Sequence, residues 1–477
     1  MRPTRRSSSN PTPAELAARS YLASAGRRRP SAGTPKYLGL VNAIEEGVRQ
    51  GALVPGEQLP PQRDLAALFG MTVATVTKAI GEAARRGVVM ARSGSGTFVA
   101  SAHGPDAQGA WNDLSLNIPP AALSADWVSS CLRRVTQPSQ ISRLTDYAPV
   151  GGSAANRAAG AAVFSARGLA AKAEQVMLTQ GAHQGLIGAL AATTRPGDSV
   201  VCERLNYSGL RRIGELLQLT LVGIDCDEEG MVVSQVRTRL RSARIAAIVC
   251  TPSSHNPTSF TLSERRRTEL VRVARGASVP VIEDDIYGLL CHDGLPTLAA
   301  LWPEGTLCVT SLSKSVAPGL RVGYTLCPPG LVSRLREALL ALGWTEPSLQ
   351  AALATELIQS GGLAHCVARH QAEASRRIAL ANRLLPQGSI QTALNAMSYH
   401  LWVSTGDTQP TEVAAELSRR GVLVSPSSHF VVDGSEPPHA LRVSLGGPTS
   451  AADLEAPLQA LSAVMRDGHR SSFGSIV

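Results

Sequence analysis

The sequence has few lysines. Only four of its 46 lysine and arginine residues are lysine, namely Lys36, Lys78, Lys172 and Lys314. A guanidinium stays protonated and cannot form an imine, whereas a lysine amine can lose its proton and react with a carbonyl group. A chain that otherwise uses arginine for positive charge is therefore expected to use some of its lysines for amine chemistry.

The chain also lacks the marks of disulfide-rich, metal-binding, membrane-spanning and secreted proteins. Its eight cysteines include no Cys-x-x-Cys pair, and several stand in apolar runs, so reduced thiols are expected rather than disulfides or a metal site. No apolar run approaches the roughly 20 residues of a spanning helix. Residues 1–6 are not followed by the apolar stretch of a secretory signal. We expect a cytoplasmic protein without a membrane anchor or a metal ion.

Length and charge predict two kinds of domain. The 477 residues exceed what one hydrophobic core usually serves. Residues 1–100 hold 14 Lys and Arg against 6 Asp and Glu, whereas the remainder holds 32 against 31. Such asymmetry indicates a basic module for a polyanion joined to a nearly neutral body. DNA and an anionic membrane surface are the two candidate polyanions.

The basic region begins with residues 1–35, which are rich in Arg, Ser, Pro and Ala. This composition predicts a flexible basic tail, with a short helix as an alternative for part of 12–25. From residue 36 the pattern becomes helical, with apolar residues repeating every four positions, and two further helices and a hairpin follow before residue 99. Thr72 is the expected N-cap of the third helix. Three helices and a hairpin in this order describe a winged helix-turn-helix.

Several separated blocks in the right order give residues 36–99 a resemblance to the GntR-type DNA-binding domain. The blocks are Leu53-Val-Pro-Gly56, Gln58-Leu-Pro60, Arg63-Asp-Leu-Ala66, Thr75-Val-Thr77 and Gly94-Ser-Gly-Thr-Phe-Val99. In a helix-turn-helix the second of the two helices enters the major groove of double-stranded DNA. The candidate DNA contacts are Arg63, Thr72, Thr75, Thr77, Lys78, Arg92 and Gly94. The alternative for Lys78 is a side chain that is simply solvated.

Residues 100–111 form a short Gly/Pro/polar linker, and a long region with alternating strands and helices follows from 112 to 465, leaving 466–477 as a tail. Short apolar runs spaced by helical segments predict a mostly parallel sheet covered by helices on both faces, an α/β fold. The expected strands are Val200-Val-Cys202, Leu221-Val-Gly-Ile224, Ile245-Ala-Ala-Ile-Val249, Val279-Pro-Val-Ile282 and Leu307-Cys-Val-Thr310.

Lys314 stands in a segment that runs from Thr310 to Tyr324. Hydroxyls precede the lysine by three and one residues, at Ser311 and Ser313, and Arg321 follows it by seven. A carbonyl-reactive lysine with a hydroxyl and a guanidinium for phosphate is how a pyridoxal phosphate site is built. The alternative is a solvated lysine on a serine-rich loop.

This segment resembles the lysine segment of fold type I aminotransferases. The resemblance covers about 112–465 and implies a large domain of that fold with a small C-terminal α/β subdomain. It implies that Asp284 holds the pyridine nitrogen protonated and that Tyr287 and Asn256 bond the phenolate oxygen of the cofactor. Asp284 follows an apolar strand, where the ligands of open α/β sheets collect. The alternative for residues 283–285 is an acidic loop.

Further positions match the same family. Gly181, Ala182 and His183 join a glycine turn to an apolar helical segment whose backbone N–H groups can cradle a phosphate. The resemblance implies that Tyr207 stacks on the pyridine and that Tyr147 reaches the phosphate of the neighbouring subunit, which requires a homodimer. Lys314, Asp284 and Tyr207 are the candidate catalytic residues.

Arg442 lies in an alternating apolar run near the end of the chain. A guanidinium is costly in such a place unless it meets an anion. The matching residue in the resembling family grips the carboxylate of an amino acid, so Arg442 is the candidate effector residue. A structural salt bridge is the alternative.

The two halves together resemble the MocR subfamily of GntR-type regulators. The resemblance implies a transcriptional regulator that senses an amino compound through aldimine chemistry at Lys314. Two alternatives stay open: a sensor of pyridoxal phosphate itself, and a working aminotransferase that carries a DNA-binding domain.

Overall fold

The chain divides into two compact units, residues 1–111 and 112–477. A computed structural model describes most of the second unit and about half of the first. The described residues are 20–25, 35–49, 52–53, 58–86, 88–92, 96–99, 112–120, 122–291, 294–391, 398–448 and 450–473. Gly94 and the predicted linker 100–111 lie outside them.

The first unit contains the predicted three helices and hairpin. Its elements are α1 (Lys36–Arg49), α2 (Gln62–Phe69), α3 (Val73–Arg85), β1 (Val89–Arg92) and β2 (Gly96–Val99). The two strands pair antiparallel, and the apolar faces of the helices meet in a core that includes Leu40, Ile44 and Val76. The winged helix-turn-helix prediction is confirmed for this unit.

Two local features separate α2 from α3. Gly70 ends α2 in the left-handed conformation (φ 58°), which glycine adopts without a side-chain penalty. Thr72 then accepts a hydrogen bond from the backbone N–H of Thr75 at 3.2 Å and so caps α3. The cap predicted at Thr72 is therefore present.

Residues 20–25 form a short helix within the stretch predicted to be a flexible tail. Leu22 is fully buried in the core of the first unit, and the Tyr21 hydroxyl donates to the carbonyl of Ala43 at 3.3 Å. Because Leu22 contributes to the core, the folded part of this unit begins before residue 36. The tail predicted for 1–35 is therefore too long, and the short helix given as the alternative for part of 12–25 is present at 20–25.

A seven-stranded sheet forms the centre of the second unit, in the order β4-β12-β11-β10-β9-β5-β6. All neighbouring strands are parallel except β12, which runs antiparallel to both β11 and β4. Four of the five predicted apolar runs lie entirely in strands of this sheet, and the run 279–282 contributes its second half to β10, whereas β4 and β12 were not predicted. The bounds are β4 (Val176–Thr179), β5 (Ser199–Glu203), β6 (Thr220–Ile224), β9 (Ile245–Cys250), β10 (Val281–Asp284), β11 (Thr306–Ser311) and β12 (Gly323–Leu326).

Helices cover both faces of this sheet, and separate apolar clusters lie beneath them. Burial on both faces explains why the parallel strands read as continuous apolar runs. The helices up to residue 359 are α4 (Ala125–Val135), α5 (Ile141–Thr145), α6 (Ala154–Ser165), α7 (Ala182–Thr193), α8 (Ser208–Leu216), α9 (Val233–Ser242), α10 (Glu264–Gly276), α11 (Leu298–Leu301), α12 (Leu312–Ser315), α13 (Val332–Gly343) and α14 (Ser348–Gln359). A small hairpin joins β7 (Cys226–Asp227) to β8 (Gly230–Met231).

A smaller α/β subdomain follows, as the resemblance implied. Its three-stranded sheet has the order β13-β16-β15, and β14 pairs with β3 from the beginning of the unit. Its elements are β3 (Asn112–Asp113), α15 (Gly362–Leu384), β13 (His400–Ser404), α16 (Pro410–Arg419), β14 (Val422–Leu423), β15 (Ser425–Pro426), β16 (Ala440–Ser444) and α17 (Glu455–Phe473). Because α17 continues to Phe473, the tail predicted for 466–477 begins later than expected.

All eight cysteines are unpaired thiols, and six of them are buried. Among the described residues no single helix is long and apolar enough to cross a membrane. Two helices of the first unit, Gln62–Phe69 and Val73–Ala84, reach the length and apolar composition of a membrane span only when they are counted together. They are bent by 106° with respect to each other.

Candidate functional site

One cavity of about 300 Å³ in the second unit brings together side chains from distant parts of the sequence. It opens at the carboxyl ends of β10, β5 and β9, where parallel strands present their following residues at one edge. Ten of the predicted residues line it: Ala182, His183, Tyr207, Asn256, Asp284, Tyr287, Ser313, Lys314, Arg321 and Arg442.

Lys314 projects from α12, directly after β11. Burial, reinforced by the nearby positive charge of Arg442, lowers its pKa from 10.5 to about 8, and the charge of Asp284 offsets this only in part. The ammonium donates a hydrogen bond to the backbone carbonyl of Asn117. An amine with this pKa is partly neutral near pH 7, which nucleophilic attack on a carbonyl requires.

Asp284 is the last residue of β10 and is buried. Burial and the neighbouring carboxylate of Asp285 raise its pKa from 3.8 to about 7. Its Oδ1 atom has no hydrogen-bond partner among the described residues. A buried carboxyl with an unpaired oxygen facing a cavity is costly unless a ligand supplies a donor or a cation. A protonated pyridine nitrogen would supply both.

The backbone around Gly181 forms a close cradle beside Arg321. Gly181 precedes α7 with φ 82°, and a Cβ atom there would lie 3.1 Å from Nη2 of Arg321. The guanidinium donates to the carbonyl of Gln180 at 3.2 Å, which holds it at the amino end of α7. The helix dipole and the unpaired N–H groups of that first turn favour an anion. The residues present therefore fit a phosphate group.

The structure separates the two predicted hydroxyls. Ser313 lines the cavity, but Ser311 lies behind it, with Oγ 2.9 Å from Ser313 Oγ and 3.0 Å from the carbonyl of Val322. Ser311 Oγ also accepts the backbone N–H of Ser313 at 3.1 Å and so caps α12. The Ser311 hydroxyl thus has partners within the fold, and its predicted contact with a ligand stays a prediction.

Two rings line the cavity on the side of β5. The ring of His183 meets that of Tyr207 edge to face, with centroids 6.1 Å apart. Burial lowers the pKa of His183, and its Nδ1 atom has no partner among the described residues. Burial also raises the pKa of Tyr207, so its hydroxyl stays protonated. A neutral His183 beside the cradle can donate one hydrogen bond where Ala182 supplies none.

Tyr287 and Asn256 line another part of the same cavity. Asn117 donates from Nδ2 to the Tyr287 hydroxyl at 2.6 Å, and the same atom lies 3.0 Å from Nδ1 of His400. The Oδ1 atom of Asn256 accepts from Nη1 of Arg442 at 2.9 Å, which leaves its amide N–H₂ group for another acceptor. The phenol and this amide are the groups predicted to meet a phenolate oxygen.

Arg442 stands in the middle of β16 and is 8% exposed. Burial lowers its pKa from 12.5 to about 10, and its guanidinium lies 4.8 Å from the ring centre of Phe430. Its Nη2 atom donates to the carbonyl of Ser115. None of the ion pairs among the described residues involves Arg442, so the alternative of a structural salt bridge is not supported. The guanidinium is held by neutral acceptors at the cavity wall, where a carboxylate would bind more strongly.

Sequence reasoning missed the segment Ser115–Asn117. It lines the cavity, and two of its backbone carbonyls accept hydrogen bonds from the side chains of Arg442 and Lys314, with which a ligand would interact. The carbonyl groups carry no side-chain signature, and the partners are 197 and 327 residues apart in the sequence. Other cavity residues that were not predicted are Leu186, Ser208, Thr251, Ile286 and Pro318.

Tyr147 lies away from this cavity. It is 84% exposed and lines a separate groove of about 700 Å³ with residues of α4, α5 and α14. Its predicted contact is with a neighbouring subunit, so its exposure in a single chain is compatible with that role, which stays a prediction.

The predicted DNA contacts lie on α2 and α3 of the first unit. Arg63, Thr72, Thr77 and Lys78 are exposed, and Thr75 is half-buried. The Thr77 hydroxyl donates to Gln62 Oε1 at 2.8 Å, and the Lys78 ammonium lies 4.5 Å from the ring centre of Tyr37. Lys78 is exposed apart from this ring contact, so its predicted role at DNA and the solvated alternative both stay open. Arg92 ends β1, which places it at the hairpin.

The chain matches two known families. Residues 111–461 match the class I and II aminotransferases, and residues 36–99 match the gntR family of bacterial regulatory proteins. The HTH-type transcriptional regulator YdeF of Bacillus subtilis is 27% identical over 439 residues, which cover 91% of this chain and 95% of YdeF. The HTH-type pyridoxine biosynthesis transcriptional regulator PdxR of Corynebacterium glutamicum is 26% identical, covering 82% of this chain and 88% of PdxR.

The fold of the second unit is also found among solved structures. LysN, an α-aminoadipate aminotransferase of Thermus thermophilus in complex with N-(5'-phosphopyridoxyl)-L-leucine, superposes with a TM-score of 0.68 at 21% identity, covering 75% of this chain and 92% of LysN. This chain belongs to the class I and II aminotransferase family and carries a gntR-family regulatory domain ahead of its aminotransferase-like domain, the combination that characterises the MocR subfamily.

Proposed function

We propose that this protein is a DNA-binding transcriptional regulator whose aminotransferase-like domain binds pyridoxal phosphate at Lys314 and responds to a small amino compound. One observation carries the proposal. A single cavity holds a lysine with a lowered pKa, a buried carboxyl at Asp284 with one unpaired oxygen, and a guanidinium at Arg442 that has no carboxylate partner among the described residues. Each of these groups costs stability in the absence of a ligand.

The cavity residues have complementary tasks toward the cofactor. Pyridoxal phosphate supplies an aldehyde that reacts reversibly with primary amines and a ring that accepts electrons. Arg321, Ser313 and the first turn of α7 would hold its phosphate. Asp284 would hold a proton on the ring nitrogen, and the ring of Tyr207 would cover one face. The Tyr287 hydroxyl and the Asn256 amide would bond the phenolic oxygen.

Arg442 and the segment Ser115–Asn117 supply a way for an amino compound to change the conformation. A carboxylate that binds Arg442 replaces the carbonyl of Ser115, because a charged acceptor is favoured over a neutral one. Reaction of the Lys314 amine likewise ends its hydrogen bond to the carbonyl of Asn117. A ligand shifts a conformational equilibrium only by binding one state better than another, and these two contacts differ between states.

The same segment closely follows β3, with which the described part of the chain resumes after the predicted linker 100–111. It is fixed to the small subdomain by the pairing of β3 with β14 and by the Leu114 N–H, which donates to the Leu423 carbonyl at 2.8 Å. Displacement of Ser115–Asn117 would therefore act close to the end of the predicted linker, which connects this unit to the DNA-binding module. In a homodimer this would alter how two such modules meet paired half-sites on DNA.

The test is DNA binding measured by fluorescence anisotropy with a labelled fragment from upstream of the gene. Titrations with the apo-protein, the cofactor-loaded protein and the loaded protein with each of a panel of amino acids are compared at one salt concentration. The proposal predicts that an amino acid changes the affinity only when cofactor is present and Lys314 is intact. A response that persists in Lys314→Ala would contradict it. If cofactor alone changes DNA affinity, pyridoxal phosphate itself is the signal.

A second candidate function is a working aminotransferase. It is favoured by the presence in one cavity of Asp284, Tyr287, Asn256, Lys314 and Arg442, the full set that the resemblance assigns to transamination. Incubation with an amino acid and a keto acid separates the two functions. Repeated turnover supports the enzyme, whereas a single stoichiometric change in the absorption spectrum supports the sensor.

A further inference from the structure

Glu203 is a buried acid that the site described above does not use. It is the last residue of β5, is 0% exposed and does not line the cavity. Burial raises its pKa from 4.5 to about 7 in spite of several hydrogen bonds to it. Keeping a carboxyl in such a place costs stability that a neutral side chain of the same size would not cost.

The two oxygens of Glu203 join two walls of the cavity. Oε1 accepts the backbone N–H of Thr251 at 2.9 Å, and Oε2 accepts from Nδ2 of Asn206 at 2.8 Å. The Oδ1 atom of Asn206 in turn accepts the backbone N–H of Tyr207 at 2.7 Å. Tyr207 and Thr251 both line the cavity, whereas Glu203 and Asn206 lie behind it.

The polarity of this chain of hydrogen bonds is fixed at both ends. A backbone N–H group can only donate, so the atom of Asn206 that faces Tyr207 is Oδ1 and its other atom is the N–H₂ donor. Thr251 also presents a backbone N–H. Both oxygens of residue 203 must therefore accept, which a carboxylate does and a glutamine cannot. With a glutamine side chain at this position, one donor would always face another.

We propose that Glu203 is a positioning residue of the cofactor site: through Asn206 it sets the place of the Tyr207 ring, and through Thr251 it sets the start of the loop that carries Asn256. The inference rests on the proposed function, because it assigns the purpose of this buried acid to the cofactor that Tyr207 and Asn256 would contact. It accounts for a carboxylate at a position where a neutral residue would be less costly.

The experiment is a double-mutant cycle. Glu203→Gln leaves two donors facing each other, and Asn206→Asp places two carboxylates side by side. The double variant E203Q/N206D restores every donor and acceptor, because the new amide donates to the new carboxylate, which still accepts from Tyr207 N–H. The matched control is Glu228→Gln, which removes an exposed carboxylate of the same domain.

Two measurements are made on each full-length variant: thermal unfolding of the apo-protein and the dissociation constant for pyridoxal phosphate from absorption titration. We expect each single variant to bind the cofactor about tenfold more weakly, the ratio that loss of one buried hydrogen bond produces. The double variant should recover to within about threefold of the wild type, and the control should not change.

The possible outcomes are distinct. One outcome is that the single variants lower the stability of the apo-protein, the double variant restores it, and all of them bind the cofactor like the wild type. In that case Glu203 is only structural and the inference is overturned. If the double variant binds no better than the single variants, the hydrogen-bond polarity is not what matters and the inference is again overturned. If the wild type binds no cofactor, the proposed function fails and the inference fails with it. Loss in both single variants with recovery in the double variant supports the inference.

Discussion

The lowered pKa of Lys314 makes a quantitative prediction about the rate at which the apo-protein captures an aldehyde. Only the neutral amine attacks a carbonyl group, so the rate follows the neutral fraction. Burial and the charge of Arg442 lower the pKa of Lys314 from 10.5 to about 8, and the carboxyl of Asp284 acts in the opposite direction. The rate should therefore rise with pH and level off above about pH 8.

The magnitude follows from the two pKa values. At pH 7 a lysine with a pKa of about 8 is roughly one-tenth neutral, whereas one with the usual value of 10.5 is neutral to about three parts in ten thousand. The cavity thus increases the reactive fraction roughly 300-fold at pH 7. Between pH 6 and pH 7 the rate should increase about tenfold, because both values lie below the pKa.

Stopped-flow absorption after mixing apo-protein with pyridoxal phosphate measures this rate from pH 6 to pH 10. Lys172→Ala is the matched control, because Lys172 is exposed and lies outside the cavity. The control should follow the wild-type profile, and Lys314→Ala should lose the fast phase. A profile that keeps rising to pH 10, or a fast phase that survives in Lys314→Ala, would refute the reasoning.

Three further predictions concern other residues. Arg442→Gln should weaken the binding of a carboxylate-bearing amino compound at least about tenfold by calorimetry, since a charged hydrogen bond is lost, and should weaken this binding more than it weakens cofactor binding. Asp284→Asn should weaken cofactor binding yet make the apo-protein more stable than the wild type, by a larger margin at pH 8 than at pH 5. The folded-state pKa of Asp284 is raised from 3.8 to about 7, so the wild type loses stability as the pH rises from 3.8 to about 7, and the amide avoids this loss. Thermal unfolding of both proteins at both pH values checks this. Arg63→Ala should lower the affinity for every DNA sequence by a similar factor. In anisotropy titrations at several salt concentrations, the slope of the logarithm of the binding constant against the logarithm of the salt concentration should become about one unit less steep.

Much of the fold follows from sequence because its elements carry local signals. The apolar runs of the central strands are buried on both faces and are rich in β-branched residues, so they are recognised as strands before any pairing is known. β4 and β12 were missed because their residues were interpreted only for ligand groups: β12 begins inside the lysine segment, and β4 ends at the glycine turn of Gly181. Their place is fixed by antiparallel pairing of Gly323–Leu326 with Val176–Thr179, a contact between parts of the chain that no local pattern joins.

The same contrast holds for the site. Lys314 could be predicted from its spacing to Ser313 and Arg321, and Asp284 from its place directly after an apolar strand. Arg442 could be predicted because a guanidinium is costly in an apolar run. Ser311 has the same type and spacing as a phosphate ligand, and only the fold reveals that its hydroxyl caps α12. The carbonyls of Ser115 and Asn117 could not be found, because every residue has a carbonyl and only tertiary structure places these two on the cavity cations.

The most direct test of the account is covalent trapping at Lys314. Full-length protein is incubated with pyridoxal phosphate, reduced with borohydride, digested and examined by mass spectrometry. The account predicts one phosphopyridoxyl group on the peptide that contains Lys314 and none on peptides that contain Lys36, Lys78 or Lys172. An unmodified Lys314, or modification spread over the other lysines, would contradict it.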